Sequence, residues 1–188
     1  MLDSIRPFTG DVALKSLLAV FAVLTLCSAV VFAEEAKVGF VDRVYKDKEG
    51  KEFKYVLFVP HSYKRDKEFP LLLFLHGSGA RGEDGKKPST LALAVNIRKN
   101  EKDFAFFVIF PQARETWKAG SDDANRALAI LDSVQKDFKI DAQRISLTGQ
   151  SMGGYGTWGI AAKHPERWAA IVPICGGGDI TTAKVLKD

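Results

Sequence analysis

The chain has 188 residues, of which 46% are hydrophobic and 27% charged, and its 27 basic and 23 acidic residues give a formal net charge of +4. These values indicate one globular domain with a substantial core and argue against a disordered chain. Basic and acidic residues alternate along polar stretches such as "KEGKEFKYV". Because no basic cluster forms, a nucleic-acid partner is not expected.

The N-terminus has the pattern of a targeting segment. Arg6 and Lys15 precede the apolar stretch "SLLAVFAVLTLCSAVVFA", which is followed by Glu34. Small residues one and three positions before that point predict a secretory signal cleaved after Ala33, and hence a secreted or periplasmic protein. The alternative is that residues 1–33 form an uncleaved anchor, because the apolar run nearly spans a bilayer. Membrane contact is expected only through this segment.

From Val38 onward, strand and helix patterns alternate. Apolar runs predict strands at 53–60, 70–77, 104–111, 144–149 and 168–175. Helical spacing and serine caps predict helices at 89–100 and 121–138, and a third helix after Ser151 that Pro165 ends. Alternation of this kind predicts an α/β fold with a mostly parallel sheet and helices on both faces, formed by residues 34–188.

Cysteine and histidine positions indicate no cofactor site. Removal of the signal would take Cys27 with it, so Cys175 would have no disulfide partner. Cys175 ends the run "WAAIVPIC" and is expected to be a small buried hydrophobic residue. No cluster has metal-ligand spacing, and "GSGARG" lacks the rest of a dinucleotide fingerprint. Neither a metal nor an organic cofactor is therefore expected.

A serine between glycines follows the fourth predicted strand. The segment "GQSMG" at 149–153 matches G-x-S-x-G, and an amphipathic helix pattern comes after it. A nucleophile on a sharp strand-to-helix turn needs neighbours almost without side chains, and Gly149 and Gly153 meet that need. The pattern favours Ser151 as a nucleophile over a turn serine. The N–H of Met152 is then the expected first donor to the oxyanion.

The loop after "LLLFLHG" is the expected source of the second oxyanion donor. Ser78 offers its backbone N–H there, and Gly77 and Gly79 give the loop its conformational freedom. His76 is expected to hydrogen-bond this loop and keep it folded, in preference to acting as a general base.

Four segments together resemble the α/β-hydrolase superfamily: "FLHGSGARGEDG", "FPQAR", "RISLTGQSMGGYGTW" and "HPERWAAIVPICGGGD". Within it, they are most similar to the secreted phospholipase/carboxylesterase-like branch, also labelled predicted peptidase. The resemblance implies Ser151 as nucleophile, with Met152 and Ser78 as the oxyanion hole. It also implies a substrate pocket bordered by Gly77 and Trp117, the alternative for Trp117 being a position that caps the core.

The resemblance further implies a triad whose acid and histidine follow the serine in the chain. His61 precedes the buried strands, His76 belongs to the loop, and His164 ends the helix several turns from Ser151. Asp179 stands where some family members carry the acid, but no histidine is available to it. We therefore expect a part of a longer hydrolase that lacks roughly the last third of its domain, with negligible turnover as given.

Three functions follow from this pattern. The leading one, for the intact parent enzyme, is hydrolysis of small carboxylic esters through a serine acyl-enzyme. Peptide hydrolysis is an alternative with the same chemistry, since the triad does not distinguish esters from amides. A non-catalytic secreted binding protein, which keeps the fold but has lost the base, is the alternative from another class.

Overall fold

A mixed sheet with helices on both faces forms the core of the computed structural model, which describes residues 36–186; the predicted signal or anchor at 1–33 lies outside them. The strands are β1 (Gly39–Lys46), β2 (Glu52–Val59), β3 (Phe69–Leu75), β4 (Phe107–Phe110), β5 (Ile140–Gln150) and β6 (Ala170–Ile174). The α-helices are α1 (Leu93–Lys99), α2 (Asp122–Asp137) and α3 (Met152–Lys163). No helix in this range is both long and apolar enough to cross a membrane.

The strands run in the order β1-β2-β4-β3-β5-β6. Neighbours from β4 to β6 pair in parallel, whereas β2 is antiparallel to both β1 and β4. The chain moves from β3 towards β2 to form β4, and then moves the opposite way to form β5 and β6. Because crossover connections between parallel strands share the same handedness, α1 lies on one face of the sheet and α2 and α3 lie on the other. The predicted α/β fold with a mostly parallel sheet is confirmed.

The two faces of the sheet bury two separate apolar clusters. The larger one joins β2, β3, β4 and β5 to α2 and α3, with Leu73, Leu131 and Leu147 fully buried. The smaller one lies under α1, on the other face of the sheet, where Ala94 and Ile97 pack against side chains of β2, β3 and β4. Parallel strands are stable when both faces are covered in this way. The carboxyl ends of β3 and β5 are thereby fixed side by side.

Helix α2 begins where it was predicted to begin. The prediction of a helix at 89–100 is wrong for its first part, because α1 begins only at Leu93. The Ser121 hydroxyl accepts a hydrogen bond from the N–H of Ala124 and caps α2. Ser89 instead lies in a 3-10 turn, where its hydroxyl donates to the carbonyl of Lys86. Ala92 then takes a φ of 47° before α1 begins. This turn between Ser89 and α1 prevents a continuous helix.

The last predicted strand differs most from expectation. Its apolar sequence is typical of a strand buried on both faces, but β6 has Val172 54% and Ile174 43% exposed. Cys175 is exposed as well, so the expectation that its thiol is buried is wrong. The reason is that β6 pairs with β5 alone among the described residues. At the other edge, β1 was not predicted, because charged residues interrupt its apolar ones and, from Val41 onward, only alternate side chains are half-buried.

Candidate active site

Ser151 lies at the turn between the end of β5 and the start of α3. Its backbone has φ 55° and ψ −116°, a conformation that residues with side chains rarely adopt. Hydrogen bonds hold the turn: the N–H of Ser151 donates to the carbonyl of Ile174 at 2.8 Å, and its carbonyl accepts from Tyr155 at 3.1 Å. The Ser151 side chain is exposed at this point. The turn therefore presents the hydroxyl at the carboxyl edge of the parallel strands.

The glycines of the "GQSMG" segment are required by close backbone contacts. A Cβ on Gly149 would overlap the carbonyl of Gly153, and one on Gly153 would overlap the carbonyl of Leu75. The start of α3 can approach β3 and β5 only because these side chains are missing. The sequence pattern thus reflects the packing of the helix against the end of the sheet.

The loop after β3 lies against Ser151. A Cβ placed on Gly77 would be 3.6 Å from the Cβ of Ser151 and 3.5 Å from the carbonyl oxygen of Gln150. Ser78 follows at the start of a 3-10 turn and is exposed. Met152 is the first residue of α3, so its N–H has no carbonyl partner within the helix. The structure therefore places the predicted residues Gly77, Ser78 and Met152 beside Ser151.

His76 connects the loop after β3 to the segment after β4. Its Nδ1 donates to the carbonyl of Gly77 at 2.8 Å, because a carbonyl can only accept, and its Nε2 accepts from the N–H of Ala113 at 2.9 Å. Its own carbonyl accepts from the Trp117 indole N–H at 2.9 Å. Burial lowers the pKa of His76 below its ordinary 6.5, although the bond to Gly77 opposes this. The neutral ring holds the loop, as predicted.

Gln112 fastens the far end of the same loop. Its amide nitrogen donates to the carbonyl of Ala80 at 3.0 Å and to the carboxylate of Asp84 at 3.2 Å. Its amide oxygen accepts from the N–H of Gly85 at 2.6 Å. Gln112 is 7% exposed. The "PQ" segment after β4 therefore closes the loop that follows β3, a role that sequence reasoning did not assign.

Two cavities meet at Ser151. One has a volume of about 460 Å³, contains no charged side chain, and is lined by the loop after β3 together with Pro88, Leu91 and Ala92. The other has about 600 Å³ and is lined by Thr116, Lys118, Ala119, Met152, Tyr155, Gly156 and Gly159. Both volumes fall within the range of small-molecule sites. A bound molecule can therefore extend to both sides of the serine.

Trp117 requires a correction. The resemblance placed it at the border of the substrate pocket, but its side chain is 1% exposed and lies in the larger core cluster. Its ring stands at 69° to the ring of His76, with the centroids 5.0 Å apart. The indole N–H donates to the His76 carbonyl, and Trp117 is not among the residues that line either cavity. Its neighbours Thr116 and Lys118 line the cavity instead.

None of the three histidines is placed to serve as a base for Ser151. His61 pairs with Glu101 at 3.1 Å, and both ring nitrogens of His76 are engaged in the loop. His164 follows the last residue of α3, and 12 residues at about 1.5 Å each place it about 18 Å along the helix. Asp179 is exposed and accepts from the N–H and hydroxyl of Thr181.

A model of the BD-FAE family matches residues 57–164. That range begins in β2 and ends just after α3, so it contains the loop after β3, Gln112 and the Ser151 turn.

Curated relatives and a solved structure are also similar to this chain. A probable feruloyl esterase C of Aspergillus terreus is 25% identical over 124 residues, which cover 65% of this chain and 46% of the relative. A bifunctional acetylxylan esterase/xylanase of Neocallimastix patriciarum is 30% identical over 115 residues, covering 59% of this chain and 16% of the relative. The crystal structure of a thermostable esterase is 32% identical with a TM-score of 0.66, and the match covers 79% of this chain and 44% of that one. The chain thus spans less than half the length of each of these three proteins.

Proposed function

Because the chain belongs to the BD-FAE family, which has the α/β-hydrolase fold, we propose that Ser151 is the nucleophile of a carboxylic ester hydrolase. One observation carries the proposal: the Ser151 hydroxyl is exposed on a strained turn between β5 and α3, beside the loop that contains Gly77 and Ser78. Strained backbone of this kind is concentrated at active sites, where it positions a reacting group.

The proposed reaction has two stages. The Ser151 oxygen attacks the ester carbonyl, and the N–H groups of Ser78 and Met152 donate to the oxyanion that develops. Collapse of this intermediate releases the alcohol, which takes a proton, and leaves the acyl group on Ser151. Water then attacks the acyl-enzyme and releases the acid. The two cavities beside Ser151 would hold the acyl and alcohol parts of the ester.

The proton must be taken from Ser151 by a base that residues 36–186 do not place there. We propose that the histidine and the acid of the triad lie in polypeptide beyond this chain, as expected for a match that spans 46% of a feruloyl esterase. A serine hydroxyl is a weak nucleophile without such a base. The chain alone should therefore turn over esters negligibly, whereas the complete gene product should be active. Secretion through residues 1–33 remains part of the same proposal.

The test compares the complete gene product with its Ser151→Ala variant. A fluorophosphonate probe should label the first and not the second, and ester hydrolysis should fall by about 10³-fold or more. Feruloyl and acetyl esters are the first substrates to assay, because two relatives are named for them. Chromogenic peptides distinguish an esterase from a peptidase. Absence of both labelling and turnover in the complete protein would refute the proposal and favour a non-catalytic binding protein.

A further inference from the structure

Asp123 is a buried acid that lies outside both cavities. It is the second residue of α2 and is 6% exposed. From the sequence, its charge is explained by the first turn of a helix, where an acid interacts favourably with the helix dipole. The structure shows a different use, because its carboxylate is directed at the segment that precedes the helix.

One oxygen of Asp123 holds three successive backbone groups. Oδ2 accepts from the N–H of Arg114 at 3.1 Å, of Glu115 at 2.8 Å and of Thr116 at 3.1 Å. Oδ1 pairs with Arg126 at 2.7 Å, and the Arg126 side chain is itself only 14% exposed. The carboxylate is therefore fully used, and it fixes the middle of a segment that we call the 113–117 loop.

The ends of the 113–117 loop hold His76. Ala113 donates its N–H to the ring, and Trp117 donates its indole N–H to the His76 carbonyl. The ring then donates to the carbonyl of Gly77, which lies against Ser151. A continuous series of hydrogen bonds thus runs from Asp123 to the residues that flank the nucleophile.

The contacts also favour the charged form of Asp123. Burial alone would raise the pKa of this carboxyl, but the N–H groups of Glu115, Arg114 and Thr116 and the guanidinium of Arg126 outweigh it and lower the pKa. A carboxylate that accepts several bonds in a low-dielectric setting holds its partners more firmly than a neutral group would. The 113–117 loop is consequently fixed by an anion.

We infer that Asp123 is a positioning residue for ester hydrolysis: through the 113–117 loop and His76, it holds Gly77 and Ser78 at the distance from Ser151 that the oxyanion requires. This inference rests on the proposed function of Ser151. Asp123 touches neither cavity, so its effect on the reaction passes entirely through backbone placement. An oxyanion donor acts mainly in the transition state.

Three variants of the complete gene product test the inference. Asp123→Ala removes every acceptor from the 113–117 loop. Asp123→Asn keeps one carbonyl oxygen for the loop but directs an amide donor at Arg126. Asp122→Asn is the matched control, because Asp122 is exposed, precedes Asp123 in the same helical turn and undergoes the same loss of charge.

For Asp123→Ala, we expect kcat to fall by about 10- to 100-fold, since misplacement by about 1 Å can cost 100-fold. KM should stay within about two-fold, because a donor used in the transition state alone changes kcat. Asp123→Asn should recover part of the loss, and Asp122→Asn should resemble the unmodified protein. In ¹⁵N NMR spectra, the Trp117 indole and Ser78 amide signals should shift in both Asp123 variants and stay unchanged in Asp122→Asn.

The outcomes that overturn the inference are specific. They are a folded Asp123→Ala protein with unchanged kcat, a loss confined to KM, or equal behaviour of Asp123→Asn and Asp122→Asn. If Asp123→Ala does not fold, the comparison of those two asparagine variants decides. If the unmodified protein hydrolyses no ester, the proposed function fails, whereas the NMR signals of Trp117 and Ser78 still report whether Asp123 positions the loop.

Discussion

The two sides of Ser151 differ in how firmly they are built. On one side, four buried residues make hydrogen bonds that fix either the loop after β3 or the 113–117 loop beside it, and each is less than 10% exposed: His76, Gln112, Trp117 and Asp123. On the other side, between β6 and Leu186, apolar side chains remain exposed: Val172 54%, Ile174 43%, Ile180 86% and Val185 50%.

Under the proposed function, this difference corresponds to two different chemical tasks. The fixed side holds the expected oxyanion donors, which act best when they are placed before the reaction begins. The exposed side is where a triad acid and histidine would be expected, and none of the three histidines of the chain approaches Ser151 there. Residues 36–186 thus combine a firmly positioned serine and adjoining loop with no histidine placed to activate that serine.

Gly153→Ala should be among the most destabilising changes on the fixed side. The new Cβ would overlap the carbonyl of Leu75, so α3 must move away from β3. Unfolding free energy should fall by about 3 kcal/mol, the upper part of the range for overpacking. Gly159→Ala is the control on the same helix, because its Cβ would meet Ala119 at an ordinary 3.4 Å. Chemical denaturation of both variants should show a loss only for Gly153→Ala.

The next comparison uses one substitution on each side. Leu147→Ala in β5 removes a fully buried side chain and should cost about 2–5 kcal/mol. Val172→Ala in β6 changes a side chain that is 54% exposed and should stay within about 0.5 kcal/mol. Urea midpoints for the two variants provide the measurement. Equal losses would show that the two sides are packed alike, contrary to the structure.

The elements that could be predicted have local causes. The buried run of β3, the Ser121 cap of α2 and the glycines around Ser151 are each specified by residues adjacent in the chain. Ser89 gave a wrong helix start for the same reason. A serine before an apolar pattern is a valid cap signal, but the positive φ of Ala92 divides that segment without a glycine to indicate it.

The features that could not be predicted depend on contacts distant in the chain. Trp117 has the sequence neighbours of a pocket residue, and its burial follows from packing in the larger core cluster and from its bond to the carbonyl of His76, 41 positions earlier. The hydrogen bonds that Asp123 accepts from the 113–117 loop could not be predicted either, because the sequence shows only an acid in the first turn of a helix. Likewise, the exposure of Cys175 follows from the single sheet partner of β6, which an apolar run does not reveal.

A smaller effect on stability is expected from substitutions of two tryptophans, of which one has a hydrogen-bond partner for its indole N–H and the other has none among the described residues. Trp117→Phe removes the donor to the buried His76 carbonyl and should cost about 1–3 kcal/mol, the range for an unpaired buried group. Trp168→Phe removes a buried N–H that has no partner among the described residues. That variant should be neutral or slightly stabilising. Thermal or urea unfolding of both proteins tests the contrast, and equal losses would contradict it.

The smallest expected effect concerns pH and His76. Burial lowers the pKa of His76, so at mildly acidic pH the unfolded chain binds a proton more readily than the folded protein does. Unfolding free energy should therefore decrease as the pH falls below about 6.5. Protonation would also convert Nε2 into a donor that faces the N–H of Ala113. Measured between pH 7.5 and 5, this decrease should be smaller in His76→Gln, whereas an unaltered decrease in that variant would assign the pH dependence to other groups.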